Sequence, residues 1–265
     1  MNRTDKKPVA IITGAASGLG LELARQLNEH YRLFLVDINR ALLEQNCRAL
    51  TDTVLFICDL ADAASIDQLL SDIQQQQPYV TLLINNAGIT HRSLSEITRP
   101  EVIEKVMAVD YFAPVRLTQG LLPLLKQSGA KVVNIGSMAG WMPVIARAGY
   151  CAAKAALHQY FEVFRAEVRR HGISVLMVYP SFLDTPIEQN ALGGSGEKTT
   201  HARSTVGKIR SGSWMAAGIM RAIHNNHERL FPDTFTNLSS ILYRLWPQLF
   251  LQLMSRKFAH ELEVK

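Results

Sequence analysis

The sequence predicts an α/β fold, with a doubly wound and mostly parallel sheet of six or seven strands flanked by helices. Short runs rich in Val, Ile and Leu recur along the chain without alternating with polar residues, which is typical of strands buried on both faces. Between these runs the apolar residues recur with a helical period. A chain of 265 residues is long enough to bury a sizeable core.

Six apolar runs are predicted as strands, and a seventh is a weaker candidate. The six cover residues 8–13, 32–36, 54–58, 81–85, 131–135 and 173–178, and the seventh covers 229–231. Strands that alternate with helices along a chain are typical of a doubly wound sheet.

Two of the predicted helices are long. The first covers residues 100–126, with Pro100 in its first turn and Pro114 placed to kink or interrupt its interior. The second covers 149–171, and Gly172 would end it as the residue after the C-cap.

Composition excludes several classes of protein. Hydrophobic residues make up 48% and charged residues 19%, which argues against disorder, and the net charge of +5 is too dispersed to predict a nucleic-acid partner. Three cysteines without CxxC spacing favour neither a metal site nor a disulfide scaffold. Because neither a signal peptide nor a transmembrane run is found, we expect residues 1–265 to form one soluble cytoplasmic domain.

Two segments differ from the rest of the chain. Residues 186–213 are predicted as a mobile lid, because they are rich in Gly, Ser and Thr and lack periodicity. Residues 235–258 are apolar at near-helical spacing, and three placements are open for them. They could cover a pocket, pack on another subunit, or lie on a membrane surface with Arg244, Arg256 and Lys257 at lipid phosphates. Packing within the protein or its oligomer is favoured.

A glycine-rich turn, TGAASGLG, joins the first predicted strand to a helix. Glycines allow a tight turn and a close approach to a pyrophosphate, and the helix N-terminus adds free N–H groups. The turn therefore predicts a Rossmann-type dinucleotide site, with contacts from Gly14, Ser17, Gly18, Leu19 and Gly20.

Asp37 ends the second predicted strand, 23 residues after Gly14. A carboxylate at this place accepts hydrogen bonds from the adenosine ribose and repels a 2′-phosphate, so NAD is favoured over NADP. Ser17 stands where a basic residue could hold that phosphate, and Arg40 is the one nearby residue that could favour NADP.

Tyr150 and Lys154 are four residues apart and lie on one helical face. An ammonium beside a phenol is expected to lower the tyrosine pKa toward the working range, which suits proton exchange with a carbonyl and its alcohol. Ser137 follows a predicted strand, and its hydroxyl could hydrogen-bond the same substrate oxygen.

Together these motifs resemble the classical short-chain dehydrogenase/reductase family over residues 8–186. The resemblance rests on TGAASGLG, Asp59 after the third strand, NNAG at 85–88, Ser137, YCAAK at 150–154 and PSFLDT at 180–185. It implies a nicotinamide-dependent oxidoreductase that forms a homodimer or homotetramer.

The resemblance also implies further cofactor contacts, from Asp59, Leu60, Asn86, Ala87, Gly88, Tyr150, Lys154, Pro180 and Thr185. Asp59 would contact the adenine and Thr185 the nicotinamide carboxamide, and Lys154 would hold the nicotinamide ribose.

Three residues depart from the family pattern. Asp110 replaces the usual Asn, Ala113 replaces the glycine of the same motif, and Ser181 replaces the glycine after Pro180. A carboxylate near Lys154 could stabilise its charge and alter the tyrosine pKa, so Asp110 joins the candidate catalytic residues.

The substrate pocket is predicted at the carboxyl ends of the fourth, fifth and sixth strands. Its predicted apolar lining consists of Met138, Trp141, Met142, Phe182 and Leu183. This lining favours an apolar or lipid-like ketone or secondary alcohol as the substrate. His91 could bind substrate or could be a solvated loop side chain.

Two other functions stay open. An acyl-thioester ketoreductase could meet an acidic carrier through Lys198, Arg203, Lys208 and Arg210, although Asp37 argues against the NADPH that biosynthetic reductions more often use. A non-catalytic nucleotide sensor could share the fold, but the intact Ser–Tyr–Lys set makes it the weakest reading.

Overall fold

The computed structural model describes residues 7–199 and 209–262. Its strands are β1 (Val9–Thr13), β2 (Arg32–Asp37), β3 (Thr53–Ile57), β4 (Leu82–Asn85), β5 (Lys131–Ile135), β6 (Ser174–Val178), β7 (Leu183–Asp184), β8 (Arg210–Ser211) and β9 (Arg229–Leu230). Its helices are α1 (Gly18–Leu27), α2 (Arg40–Cys47), α3 (Ala63–Gln76), α4 (Pro100–Met107), α5 (Ala113–Ser128), α6 (Ala148–Val168), α7 (Gly212–His224), α8 (Thr234–Leu245), α9 (Pro247–Lys257) and α10 (Ala259–Leu262).

Seven strands form one parallel sheet in the order β3-β2-β1-β4-β5-β6-β9. The strands β7 and β8 pair separately beside it. Each of the seven predicted apolar runs is a strand, with ends within one residue of the prediction. The strand order reverses between β1 and β4, and a crevice at such a switch point is where doubly wound folds bind ligands.

Both faces of the sheet are covered, which explains why its strands do not alternate polar and apolar residues. One core packs α3, α5 and α6 against side chains such as Phe34 and Ile11. The other packs α1, α2 and α7 against side chains such as Ile12 and Leu35. The predicted doubly wound α/β fold is confirmed.

The long helix predicted over 100–126 is divided in two by a π-helical turn, Ala108–Phe112. Pro114 stands at the start of α5, so the interruption lies just before the proline rather than at it. This wider turn carries Asp110, whose side chain is fully buried. Gly172 follows the other long helix in the left-handed region, at φ 72°, as predicted.

The chain ends in a helical hairpin, α8 and α9, followed by the short α10. The Arg244 guanidinium lies over the Trp141 ring at 4.0 Å from its centroid, which attaches α8 to the body of the domain. Within 7–199 and 209–262, no helix combines the length and apolar character needed to span a bilayer.

Candidate active site

A cavity of about 880 Å³ lies at the carboxyl ends of the central strands. It extends from Asp37 at the end of β2, past Tyr150, to Met254 in α9. The predicted residues that line it are Gly14, Ser17, Gly18, Leu19, Asp37, Asp59, Leu60, Asn86, Ala87, Gly88, Ser137, Tyr150, Lys154, Pro180 and Thr185. Two other predicted site residues, Gly20 and Asp110, lie behind this surface.

The glycine turn has the backbone that a bound pyrophosphate requires. Gly14 and Gly18 have φ angles of +66° and +53°, in the region that favours glycine. A Cβ on Gly20 would lie 2.1 Å from the carbonyl oxygen of Gly14, so Gly20 serves close packing of α1 and not direct contact. The residues present therefore fit a dinucleotide cofactor.

The loop after β4 braces this turn. The Asn86 side chain donates to the carbonyls of Thr13 and Gly14, at 2.9 and 3.2 Å. The Thr13 hydroxyl accepts the backbone N–H groups of Asn86 and Ala87, both at 3.0 Å. The NNAG motif thus shapes the cofactor site through the backbone as well as lining it.

Asp37 holds its carboxylate at the far end of the cavity. Its two oxygens accept the backbone N–H groups of Ala16, at 2.9 Å, and Asn39, at 3.0 Å. Arg40 is directed instead toward Glu44, at 3.4 Å on the exposed side of α2. The Asp37 carboxylate therefore lies on the cavity wall, whereas the Arg40 guanidinium does not.

Three elements bring the predicted catalytic side chains together. Ser137 follows β5 and accepts the N–H of Ala139 at 3.1 Å. Tyr150 lies in the first turn of α6, hydrogen-bonded to Ser137, and Lys154 lies one turn later. The Lys154 Nζ donates to the carbonyl of Ile135 at 3.0 Å and lies 5.8 Å from the Tyr150 ring centroid.

Asp110 forms a buried ion pair with Lys154. Its Oδ2 lies 3.1 Å from the Nζ, and its Oδ1 accepts the N–H of Ile89 at 2.8 Å. Burial by itself would lower the pKa of Lys154, but Asp110 and Tyr150 outweigh burial and raise it. The expected effect of Asp110 on the lysine charge therefore has a direct geometric basis.

The prediction that the pKa of Tyr150 is lowered is wrong. Burial raises the pKa of this phenol, and it outweighs the opposing influence of Lys154; Asp110 adds to the increase. The sequence placed the ammonium beside the phenol correctly, but it did not show that the phenol is buried or that the Asp110 carboxylate lies beside the ammonium.

The substrate end of the cavity is apolar. Four of the five predicted lining residues, Met138, Met142, Phe182 and Leu183, are on its wall. The C-terminal hairpin and the chain after it add Leu242, Phe250, Leu253, Met254 and Phe258. Residues 235–258 thus take one of the three placements left open, that of a cover over the pocket.

Trp141 and His91 do not have their expected positions at the pocket. Trp141 packs against His158, Tyr179 and Phe231, away from the cavity wall. His91 is fully buried, and its Nε2 accepts the N–H of Gly149 at 2.9 Å. Burial, with a smaller effect of Arg147, lowers the pKa of His91 to about 4. Neither substrate binding nor solvation describes this side chain.

An ion cluster that the sequence analysis missed lies beside the pocket. Glu188 contacts Arg92 at 2.6 Å and Arg147 at 2.8 Å, and all three side chains are largely buried. Arg147 and Glu188 also line the cavity. The one available signal was the position of Arg147 just before the YCAAK motif.

The predicted lid is attached to the loop after β4 over its first part. Leu192 exchanges backbone hydrogen bonds with Thr90 and Arg92, at 2.9 and 2.7 Å, and Gly194 accepts the N–H of Arg99 at 2.9 Å. Residues 200–208 of that segment lie outside the described residues, and its mobility stays a prediction.

Ser181, one of the departures from the family pattern, has a structural role. Its hydroxyl donates to Asp233 at 3.1 Å, just before α8. This bond ties the loop that holds Pro180 and Thr185 to the base of the C-terminal hairpin.

Comparisons with known proteins agree with this geometry. The family model described as short chain dehydrogenase matches residues 8–194. Dehydrogenase/reductase SDR family member 7B of Bos taurus is 34% identical over 275 residues, covering 98% of this chain and 84% of that protein.

Two solved structures share the fold. A short chain dehydrogenase from Burkholderia cenocepacia in complex with NADP has a TM-score of 0.78 at 22% identity, covering 94% of this chain and 98% of its own. A short chain dehydrogenase/reductase from Burkholderia phymatum in complex with NAD has a TM-score of 0.78 at 20% identity, covering 92% and 95%.

Proposed function

The chain belongs to the short-chain dehydrogenase/reductase family, and from that premise we propose that it oxidises or reduces an apolar, lipid-like secondary alcohol or ketone with NAD. The observation that carries the proposal is the position of Ser137, Tyr150 and Lys154. They stand where the glycine-turn end of the cavity meets its apolar end.

Tyr150, Ser137 and Lys154 have separate roles in the proton transfer. When bound at the glycine turn, a nicotinamide cofactor would supply the chemistry of hydride transfer. In reduction the Tyr150 phenol donates a proton to the substrate oxygen, and in oxidation it takes that proton back. Ser137 hydrogen-bonds the same oxygen, and Lys154 stabilises the phenolate while the proton is away. A positioned acid or base of this kind contributes about 10²–10⁴-fold to a rate.

We assign Asp110 as a positioning residue, because it touches Lys154 and lies behind the cavity surface. Its carboxylate fixes the ammonium at 3.1 Å and partly neutralises it. This keeps the phenol of Tyr150 in its protonated form over a wider pH range, which favours its role as a proton donor.

The preference for NAD over NADP rests on Asp37. A 2′-phosphate beside its carboxylate would meet a like charge, and Arg40 is engaged with Glu44 on the outside of α2. The related structures hold either dinucleotide and so do not decide the matter.

Fluorescence titration with NADH and NADPH tests this preference. We expect NADH to bind more tightly, and Asp37→Ala to reduce the difference. Arg40→Ala serves as the matched control and should leave the ratio unchanged. Equal or tighter binding of NADPH by the unmutated protein would contradict the preference.

The substrate class rests on the apolar wall that the hairpin completes. Each methylene buried there contributes about 0.8 kcal/mol, or roughly fourfold in kcat/KM. For a series of aliphatic secondary alcohols, kcat/KM with NAD should rise with chain length. Phe250→Ala should flatten that rise, whereas Leu238→Ala, on the exposed side of α8, should not. A series with no dependence on length would exclude a lipid-like substrate.

The acyl-thioester ketoreductase has less support. Of its four basic residues, Arg203 and Lys208 lie outside the described residues, and the Arg210 guanidinium lies over the Trp214 ring at 4.7 Å. A homodimer or homotetramer and a cytoplasmic location stay predictions. The first can be tested by measuring the molecular mass in solution, and the second by fractionating cells.

A further inference from the structure

The α8–α9 hairpin is apolar on two opposite sides. Its inner side lines the cavity with Leu242, Phe250 and Met254. Its outer side carries two rows of exposed apolar residues at helical spacing. They are Leu238, Ile241 and Leu245 on α8, Trp246 at the turn, and Leu249 and Leu253 on α9, each between 44 and 61% exposed.

These rows form a concentrated patch, which we call the outer hairpin face. Seven of the fourteen exposed large apolar side chains in the described part of the chain lie between residues 238 and 253. Scattered exposed apolar side chains are normal, whereas a contiguous group of them marks a surface that binds something. A helix that is apolar on both sides is ordinarily covered on both.

The charged residues of the hairpin are all basic. Residues 234–260 contain Arg244, Arg256 and Lys257 and no Asp or Glu, and because Arg244 lies over the Trp141 ring, Arg256 and Lys257 on α9 are the ones left to meet an anionic surface. An apolar face with basic residues at its edge is complementary to a bilayer that carries anionic lipids.

We propose that the outer hairpin face docks the protein on the surface of an anionic lipid bilayer, without spanning it. Trp246 stands at the turn between the helices, and its amphipathic ring suits the depth of the lipid headgroups. A second copy of the chain fits less well. A two-fold contact would bring the same face of each copy together, and so would set like charges against one another.

The cavity opens toward this face. Leu253 and Lys257 are one turn apart on α9, and both line the cavity while remaining exposed. A docked protein would therefore place the mouth of its cavity against the lipid. Entry of an apolar substrate by this route rests on the proposed function, whereas docking itself does not.

Cosedimentation with vesicles tests the docking without any turnover. We expect the protein to bind vesicles of phosphatidylcholine with 30% phosphatidylglycerol, and to bind pure phosphatidylcholine more weakly. Trp246 fluorescence should shift to shorter wavelength on binding, in a protein with Trp141→Phe and Trp214→Phe. Leu245→Gln with Leu249→Gln should weaken binding at least tenfold, and Arg256→Gln about fivefold.

The control replaces two exposed apolar residues elsewhere, Ile97→Gln with Val163→Gln, and should bind within twofold of the unmutated protein. Unchanged NADH binding by each variant shows that it is folded. Absence of vesicle binding, or binding that the hairpin variants do not weaken, would overturn the proposal. A dimer in lipid-free solution that those variants dissociate would also overturn it, in favour of a second copy. Vesicle binding by a protein that oxidises no alcohol would leave the docking standing and remove the proposed function.

Discussion

The two ends of the cavity are built in different ways. The geometry of the cofactor end is set by its backbone. Gly14 and Gly18 have positive φ angles, and hydrogen bonds join Thr13 to Asn86 and Ala87. The substrate end is assembled from side chains on segments far apart in sequence, from Met138 after β5 to Met254 in α9. Replacements should therefore act through local geometry at the first end and through packing and charge at the second.

A methyl group at Gly20 tests the cofactor end. Because its Cβ would lie 2.1 Å from the Gly14 carbonyl oxygen, Gly20→Ala should distort the turn and weaken NADH binding by roughly a hundredfold. Gly193→Ala, whose Cβ meets its nearest atom at an ordinary 3.5 Å, is the control. If both variants bound NADH equally well by fluorescence titration, the cofactor end would not depend on its backbone as described.

The buried ion cluster tests the substrate end. Glu188→Gln leaves Arg92 and Arg147 without their carboxylate partner in a buried setting, which costs about 3–5 kcal/mol. Urea unfolding should show this loss, and hydrogen exchange should increase across residues 186–199. Glu44→Gln breaks an exposed pair and should cost less than about 1 kcal/mol. Equal losses would mean that the cluster contributes no more than a surface pair.

Burial of His91 beside the substrate end should make the stability of the protein depend on pH. Its folded pKa, about 4, lies below the ordinary value of 6.5, so the folded state favours the neutral ring. The contribution of His91 to the free energy of unfolding should be fully present above pH 6.5. It should decline by roughly 2–3 kcal/mol as the pH falls toward 4. In His91→Asn that decline should be smaller, while His30→Asn, at an exposed position, should keep it. Thermal unfolding at a series of pH values measures the difference.

Asp110→Asn should have the smallest effect on rate and the clearest effect on pH dependence. The amide keeps the size of the side chain and removes a charge that adds to the effect of burial in raising the pKa of Tyr150. Because oxidation needs the phenolate, the acidic limb of kcat/KM should move to lower pH. Asp59→Asn, at the adenine end, should leave that limb in place. A loss of activity with no shift of the limb would point to a structural role alone.

The same contrast explains how much could be predicted from the sequence. The strands and the glycine turn follow from local requirements, namely burial on both faces and positive φ angles, and the sequence shows both. Trp141 was predicted to line the pocket, and His91 either to bind substrate or to be solvated, because both lie in loops that follow strands of the sheet. Their actual positions depend on partners such as Phe231 and Gly149, which are far away in sequence.

The hairpin shows the same limit. Its apolar spacing predicted a helix, but the pattern could not choose among covering the pocket, binding a second subunit and lying on a membrane. Two helices separated at Trp246 allow one side to close the cavity and leave the other exposed. Similarly, the pKa of Tyr150 is raised by the burial of its own phenol and, to a lesser degree, by Asp110 in a π-helical turn, and sequence spacing shows neither.

The central claim is that Tyr150 moves the proton in a reaction that depends on nicotinamide. Steady-state kinetics of Tyr150→Phe, followed by NADH absorbance on the best substrate of the alcohol series, test it most directly. The account predicts that kcat/KM falls by about 10²–10⁴-fold while the dissociation constant for NADH stays within a few-fold. A variant that kept its activity would contradict that claim.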